Sequence, residues 1–121
     1  MDIKEKIKTF EDAMEATGRK QMPDFSFCPQ DIRKHFEALF KMYVIVEALN
    51  EGWTPDWSNC DERKFYPWFY MSPSSFAFCA SFCGHEGAFA GSGSRLKLRT
   101  AELAKYCAEQ FLDIWKDIQL G

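Results

Sequence analysis

Apolar residues recur at every third or fourth position through QDIRKHFEALFKMYVIVEALN, residues 30–50. This spacing is typical of an amphipathic helix that rests one face on a hydrophobic core. Gly52 follows the segment, and glycine is the commonest residue just beyond a helix C-terminus. The pattern therefore predicts a long helix, and its apolar stripe consists of Ile32, Phe36, Leu39, Tyr43, Val46 and Leu49.

Two further segments are expected to be helical. Thr9 followed by Asp12 indicates an N-cap, which predicts a short helix over 10–17 that stops at Gly18. Residues 2–8 either extend this helix backwards or form a short strand, whereas the two prolines in 19–29 indicate a loop. Thr100 is a second N-cap, and it precedes a helix whose apolar stripe is Leu103, Cys107, Phe111, Ile114 and Ile118.

Three segments between these helices have the composition of strands. They cover 63–71, 75–82 and 94–99, and they follow a turn-rich connection over 53–62. Since helices and strands are kept apart along the chain, the pattern predicts an α+β fold. We expect a single domain over 1–121 in the order helix, helix, three strands, helix, with a three-stranded antiparallel meander and helices packed on one face.

Alternate side chains of a strand point to opposite faces, and this divides the predicted sheet. One face holds the apolar set, which is Phe65, Pro67, Phe69, Met71, Phe76, Phe78, Ala80, Phe82, Leu96 and Leu98. The opposite face holds three aromatic and three basic residues, which are Tyr66, Trp68, Tyr70, Arg95, Lys97 and Arg99. Pro67 has no N–H, so its strand is expected at a sheet edge or at a bulge.

Composition and charge narrow the function classes. The net charge is −3 and the sequence pI is near 5.4, whereas proteins that hold duplex DNA usually carry a basic excess. The N-terminal sequence has no signal-peptide pattern and no run is long enough to span a membrane. The odd number of cysteines, without framework spacing, is typical of reduced thiols. These features predict a cytoplasmic location.

The aromatic and basic face is the main functional candidate, with Trp53 and Trp57 in the adjoining loop. Trp, Tyr and Arg are common at the energetic centres of protein interfaces. Aromatic rings beside cations also suit single-stranded nucleic acid, because rings stack on bases and cations hold phosphates. A third interpretation is plain cross-strand packing. We favour binding of a protein partner without catalysis, metal or cofactor, and keep single-stranded nucleic acid as the alternative.

Three other patterns are weaker. Cys79, Cys83 and His85, with Cys60 upstream, are a possible zinc set, but a C-x3-C pair in an extended strand does not converge on one ion. Cys79 or Cys83 with His85 or His35 would supply a nucleophile and base only if the fold brings them together. The GSGSR sequence at 91–95 lacks phosphate-loop spacing and is expected to be a hairpin loop.

Three longer stretches carry a resemblance. EGWTPDW, KFYPWFYM and AGSGSRLKLRTAELAKYCAEQFLDIWKDI resemble a group of small proteins encoded by gut Bacteroidetes, often in prophages and other mobile elements. The similarity covers roughly residues 45–120, and TFEDAMEATG near the N-terminus also fits. The resemblance supplies no catalytic residues, and it implies an accessory protein of a mobile element that acts by binding.

Overall fold

The computed structural model describes residues 2–85 and 93–121 of the chain. Three helices come first, and they are α1 (Ile3–Lys6), α2 (Phe10–Thr17) and α3 (Gln30–Asn50). Two strands follow, β1 (Lys64–Tyr70) and β2 (Ala77–Gly84). A 3₁₀ turn at Ser94–Leu96 precedes α4 (Ala101–Gln110) and α5 (Leu112–Gln119). The predicted α+β class is confirmed, but the sheet of the described residues has two strands and not three.

The caps predicted for α2 are present. The Thr9 hydroxyl accepts a hydrogen bond from the Asp12 N–H at 3.1 Å, and the Asp12 carboxylate accepts one from the Thr9 N–H at 3.1 Å. Hydrogen bonds from the Lys8 and Thr9 amides to this carboxylate lower the pKa of Asp12. Gly18 ends the helix in the left-handed conformation, at φ 73°. Residues 2–8, which the sequence left open, contain the short helix α1.

The long helix α3 is confirmed, but its apolar stripe is only partly buried. Its buried residues all lie between Ala38 and Asn50, whereas Ile32 and Phe36 are exposed. The prediction was wrong for these two side chains because the first half of the helix reaches beyond the core that the second half packs on. The helix ends at Asn50, and both Glu51 and Gly52 then take positive φ angles.

The prediction of a third strand over 94–99 is wrong. Only Leu98 joins the sheet, through one antiparallel bridge to Phe65 in which each N–H bonds the other residue's carbonyl, at 2.8 and 3.0 Å. The next rung of such a ladder would place Leu96 opposite Pro67, and proline has no N–H to donate. Gly93, at φ 81°, instead starts a 3₁₀ turn over 94–96. The proline therefore limits this segment to a single bridge.

The buried side chain of Asn50 bonds the backbone next to that bridge, on the side of Leu98 that points away from Phe65. Its amide nitrogen donates to the Lys97 carbonyl at 3.0 Å, and its amide oxygen accepts from the Arg99 N–H at 3.1 Å. These two backbone groups flank Leu98, which is fully buried. One side chain at the end of α3 thus takes the place of a further strand and satisfies both groups.

The predicted C-terminal helix is two helices in the structure. The chain bends at Phe111, where φ is −115° and ψ is 35°. The bend lets α4 pack on both strands while α5 packs on α3. Trp115 of α5 contacts Phe69, which in turn stacks on Phe76 with ring centroids 4.8 Å apart. The helices therefore meet the face of the sheet that carries Phe69.

Replacing Asn50 by leucine should destabilise the fold by about 1–3 kcal/mol, because the substitution removes the hydrogen bonds that the Asn50 amide makes to the Lys97 carbonyl and the Arg99 N–H. Urea unfolding followed by circular dichroism measures the change. Asn59→Leu is the matched control, because Asn59 is exposed and its side chain makes one hydrogen bond, from the Asp61 N–H at 3.0 Å in a turn open to solvent. Its replacement should cost less than that of the buried Asn50. Equal losses of stability in the two variants would contradict a structural role for the Asn50 side chain.

Candidate functional site

An irregular register between the strands decides which side chains of β2 face outward. Trp68 pairs with Ala80 but Phe69 pairs with Phe78, so Cys79 is an extra residue on β2. Such a bulge shifts the alternation of the bulged strand by one position. Strict alternation predicted that Ala80 and Phe82 share the inner face with Phe78, and that prediction was wrong. Phe82 pairs with Tyr66 and lies on the outer face, where its side chain is 47% exposed.

The outer surface of the sheet is an aromatic face that consists of Tyr66, Trp68, Tyr70 and Phe82. Phe82 stacks on Tyr66 with centroids 6.5 Å apart and meets Trp68 edge-on at 5.1 Å. Tyr66 and Trp68 contact each other at 6.4 Å. Trp68 is 54% exposed and Tyr70 is 59% exposed. The three rings hold one another in place, and Trp68 and Phe82 remain exposed while Tyr66 is half-buried.

Tyr70 lies at the end of the aromatic face, beside the exposed thiol of Cys79. Side-chain hydrogen bonding with this thiol, together with the charge that the thiol gains on ionisation, raises the pKa of Tyr70. The bulge thus has a second effect, because it brings Cys79 to the outer face beside Tyr70. Cys107, in contrast, is buried in the core, and the burial raises its thiol pKa to about 12.

The three basic residues predicted for this face do not form one group. The Lys97 ammonium lies over the Tyr66 ring, 4.0 Å from its centroid. The Arg95 guanidinium lies over the ring of Tyr43 in α3, at 5.3 Å. Arg99 bonds the Glu51 carboxylate at 2.6 Å. Lys97 therefore joins the aromatic rings, whereas both arginines are directed to residues at or beside α3.

A cleft of about 570 Å³ borders the aromatic face along the edge of β1 that points away from β2. Its walls are mainly apolar and aromatic, with Lys97 and Gln119 as its long polar side chains. Among the described residues, the lining consists of Tyr66, Pro67, Trp68, Phe69, Gly84, Gly93, Leu96, Lys97, Trp115 and Gln119. The cleft extends the accessible apolar area beyond the rings themselves.

Trp53 and Trp57 lie in the connection between α3 and β1. Both are half-buried and line a second cleft of about 310 Å³, which also includes Tyr43. The buried Lys64 side chain organises this connection, because its ammonium donates to the Asn59 carbonyl at 3.2 Å and lies over the Trp57 ring at 5.2 Å. No ring contact joins Trp53 or Trp57 to the aromatic face within the described residues.

The weaker candidates are not assembled into sites. No group of three or more His, Cys, Asp or Glu side chains close enough to hold a metal occurs in residues 2–85 and 93–121, so Cys60, Cys79, Cys83 and His85 are not brought together as ligands. No hydrogen bond links Cys79 or Cys83 to a histidine in the described part of the chain. Gly91 and Ser92 of the GSGSR sequence lie outside the described residues.

Comparisons with protein-family models, with curated proteins and with solved structures find no match to this chain. The resemblance to mobile-element proteins of Bacteroidetes stays a prediction. No helix within the described ranges has the length and apolar character needed to cross a membrane.

Replacing Cys79 by alanine should lower the pKa of Tyr70 toward its ordinary value near 10, because the thiol that raises it is removed. Ionisation of Tyr70 would then begin at a lower pH. NMR titration of ¹³Cζ-labelled tyrosine resolves each of the tyrosines. Cys83→Ala is the matched control and should leave Tyr70 unchanged; an unchanged Tyr70 titration in Cys79→Ala would show that the thiol has no influence.

Proposed function

We propose that this protein binds a protein partner through the aromatic face formed by Tyr66, Trp68, Tyr70 and Phe82. The observation that carries the proposal is the cluster of exposed Trp68 and Phe82 with half-buried Tyr66, on a sheet surface that no described helix covers. Exposed apolar side chains are common singly, but a contiguous aromatic group on a small domain is typical of an interaction surface.

The geometry suits an interface because the rings are already ordered. Trp and Tyr bury large areas and have few rotatable bonds, so they lose little conformational entropy on binding. Trp68 contacts both Tyr66 and Phe82. The partner surface that fits is apolar at its centre, with polar groups at its rim.

Single-stranded nucleic acid is the second candidate, and the Lys97 ammonium over Tyr66 is the observation that favours it. Two observations weigh against it. Arg95 and Arg99 are drawn to Tyr43 and Glu51, which removes two cations from the rings, and the net charge of −3 opposes a polyanion. A cytoplasmic accessory role within a mobile element, as the resemblance implies, forms part of the proposal for a protein partner.

Truncation of one central ring should weaken partner binding by about 2 kcal/mol, or roughly 30-fold, because such rings carry much of the energy of an interface. The measurement is affinity capture from an extract of the encoding cells, with quantitative mass spectrometry comparing wild type, Trp68→Ala and Phe82→Ala. Nuclease treatment before capture removes complexes bridged by nucleic acid.

Phe27→Ala is the matched control for Phe82→Ala, because Phe27 is 80% exposed but lies in the loop before α3. The expected partner is retained by Phe27→Ala and lost by both face variants. If every captured protein persists in Trp68→Ala and Phe82→Ala, the aromatic face is not the binding surface.

The nucleic-acid alternative is tested by fluorescence anisotropy of labelled single-stranded DNA and RNA at low and moderate salt. We expect that the wild type does not bind these probes, or that any binding persists in at least one of Trp68→Ala and Lys97→Ala. Affinity that falls steeply as salt is added, and that both variants lose, would instead show that the face holds a nucleic acid through stacking and phosphate contacts.

A further inference from the structure

We propose that two copies of this chain pair through the open edge of β2, in antiparallel orientation about a two-fold axis at Phe82. The pairing joins two two-stranded sheets into one sheet of four strands. The pairing uses the backbone edge of β2 and shares only Phe82 with the aromatic face, and it does not depend on the partner proposed above.

Within the described residues, the hydrogen-bond pattern of the sheet leaves this edge without a partner strand. Phe65 uses its N–H and carbonyl for Leu98, so both groups point away from β2. Phe65 lies opposite Cys83, and in an antiparallel pair the backbone groups of Cys83 must then point away from β1. Ser81, opposite Pro67, has the same orientation. Within residues 2–85 and 93–121, no backbone–backbone hydrogen bond reaches Ser81 or Cys83 from outside the strand pair. The Ser81 hydroxyl donates to the Ala101 carbonyl at 2.9 Å, and this bond uses the side chain and not the backbone of Ser81.

The side chains of β2 offer no protection against strand addition. Natural edge strands are commonly guarded by charged residues or proline, and the sequence AFCASFCG of β2 contains neither. The edge of β1 has Pro67 in its middle. The bulge at Cys79 limits regular pairing to the second half of β2, residues 80–84.

A second copy is the occupant that fits this edge. A two-fold axis at Phe82 places Ser81 opposite the second copy's Cys83, and the alternating N–H and carbonyl groups of one edge complement those of the other. The chain carries a net charge of −3, so two copies approach with least repulsion along a strip without charges. The axis stands perpendicular to the sheet, and both aromatic faces therefore lie on the same side.

The two-fold arrangement also pairs an aromatic side chain with itself. Phe82 would lie opposite the second copy's Phe82 at a position without backbone hydrogen bonds, where side chains approach most closely. Since Phe82 already contacts Tyr66 and Trp68, the rings of the two copies would form one continuous surface.

Analytical ultracentrifugation of the wild type, in reducing buffer to prevent disulfide formation, should show a reversible dimer as concentration rises. Cys83→Lys should be monomeric over the same range, because it places two like charges at the symmetric edge. Cys60→Lys is the matched control, since Cys60 is an exposed cysteine outside the sheet, and it should dimerise like the wild type. Circular dichroism establishes that both variants are folded.

Hydrogen exchange followed by NMR gives a second test that needs no variant. The amides of Ser81 and Cys83 should exchange more slowly at high protein concentration, whereas the amide of Phe82, which points to β1, should change much less. The proposal is overturned by a wild type that stays monomeric at every concentration, by a dimer that persists in Cys83→Lys, or by Ser81 and Cys83 amides that exchange independently of concentration.

Discussion

The fold depends on a pair of hydrogen bonds made by one buried amide, that of Asn50. This side chain stands at the end of the longest helix and bonds the backbone on both sides of Leu98. Leu98 in turn bonds Phe65 at the beginning of β1. The chain of contacts ties the helical layer to the sheet through hydrogen bonds to backbone groups on both sides of Leu98.

Two local departures from regular strand geometry shape the surface. Pro67 prevents the segment before Leu98 from pairing further with β1, which leaves an apolar cleft along that edge. The extra residue at Cys79 turns Phe82 outward and completes the aromatic face. Neither departure costs the sheet its inner packing, since Phe69 still stacks on Phe76 and contacts Trp115.

Features that depend on local sequence could be predicted, and those that depend on partners distant in sequence could not. The caps at Thr9 and Thr100 and the outward alternation of Trp68 and Tyr70 are encoded within a few residues of each position. Phe82 was misplaced because a bulge is a property of the strand pair and not of β2 alone.

The third strand was a different kind of error. The strand does not form because Pro67 has no N–H, and this is evident from the sequence. Only the register of the bridge shows that Leu96 would be the residue left without a donor. The arginines show the same limit. Long side chains reach partners on other elements, and Tyr43 and Glu51 became partners of Arg95 and Arg99 only through the position of α3.

The single proline of β1 has a consequence for how far strands can be added to this sheet. Amyloid growth needs a template with two competent edges, so that every added molecule presents a new one. Here one edge carries Pro67 and the other does not. An assembly that joins two β2 edges leaves Pro67 of each copy at the outer edge of the combined sheet. Because proline has no N–H to donate, further strands are not added there, and growth into fibres is disfavoured.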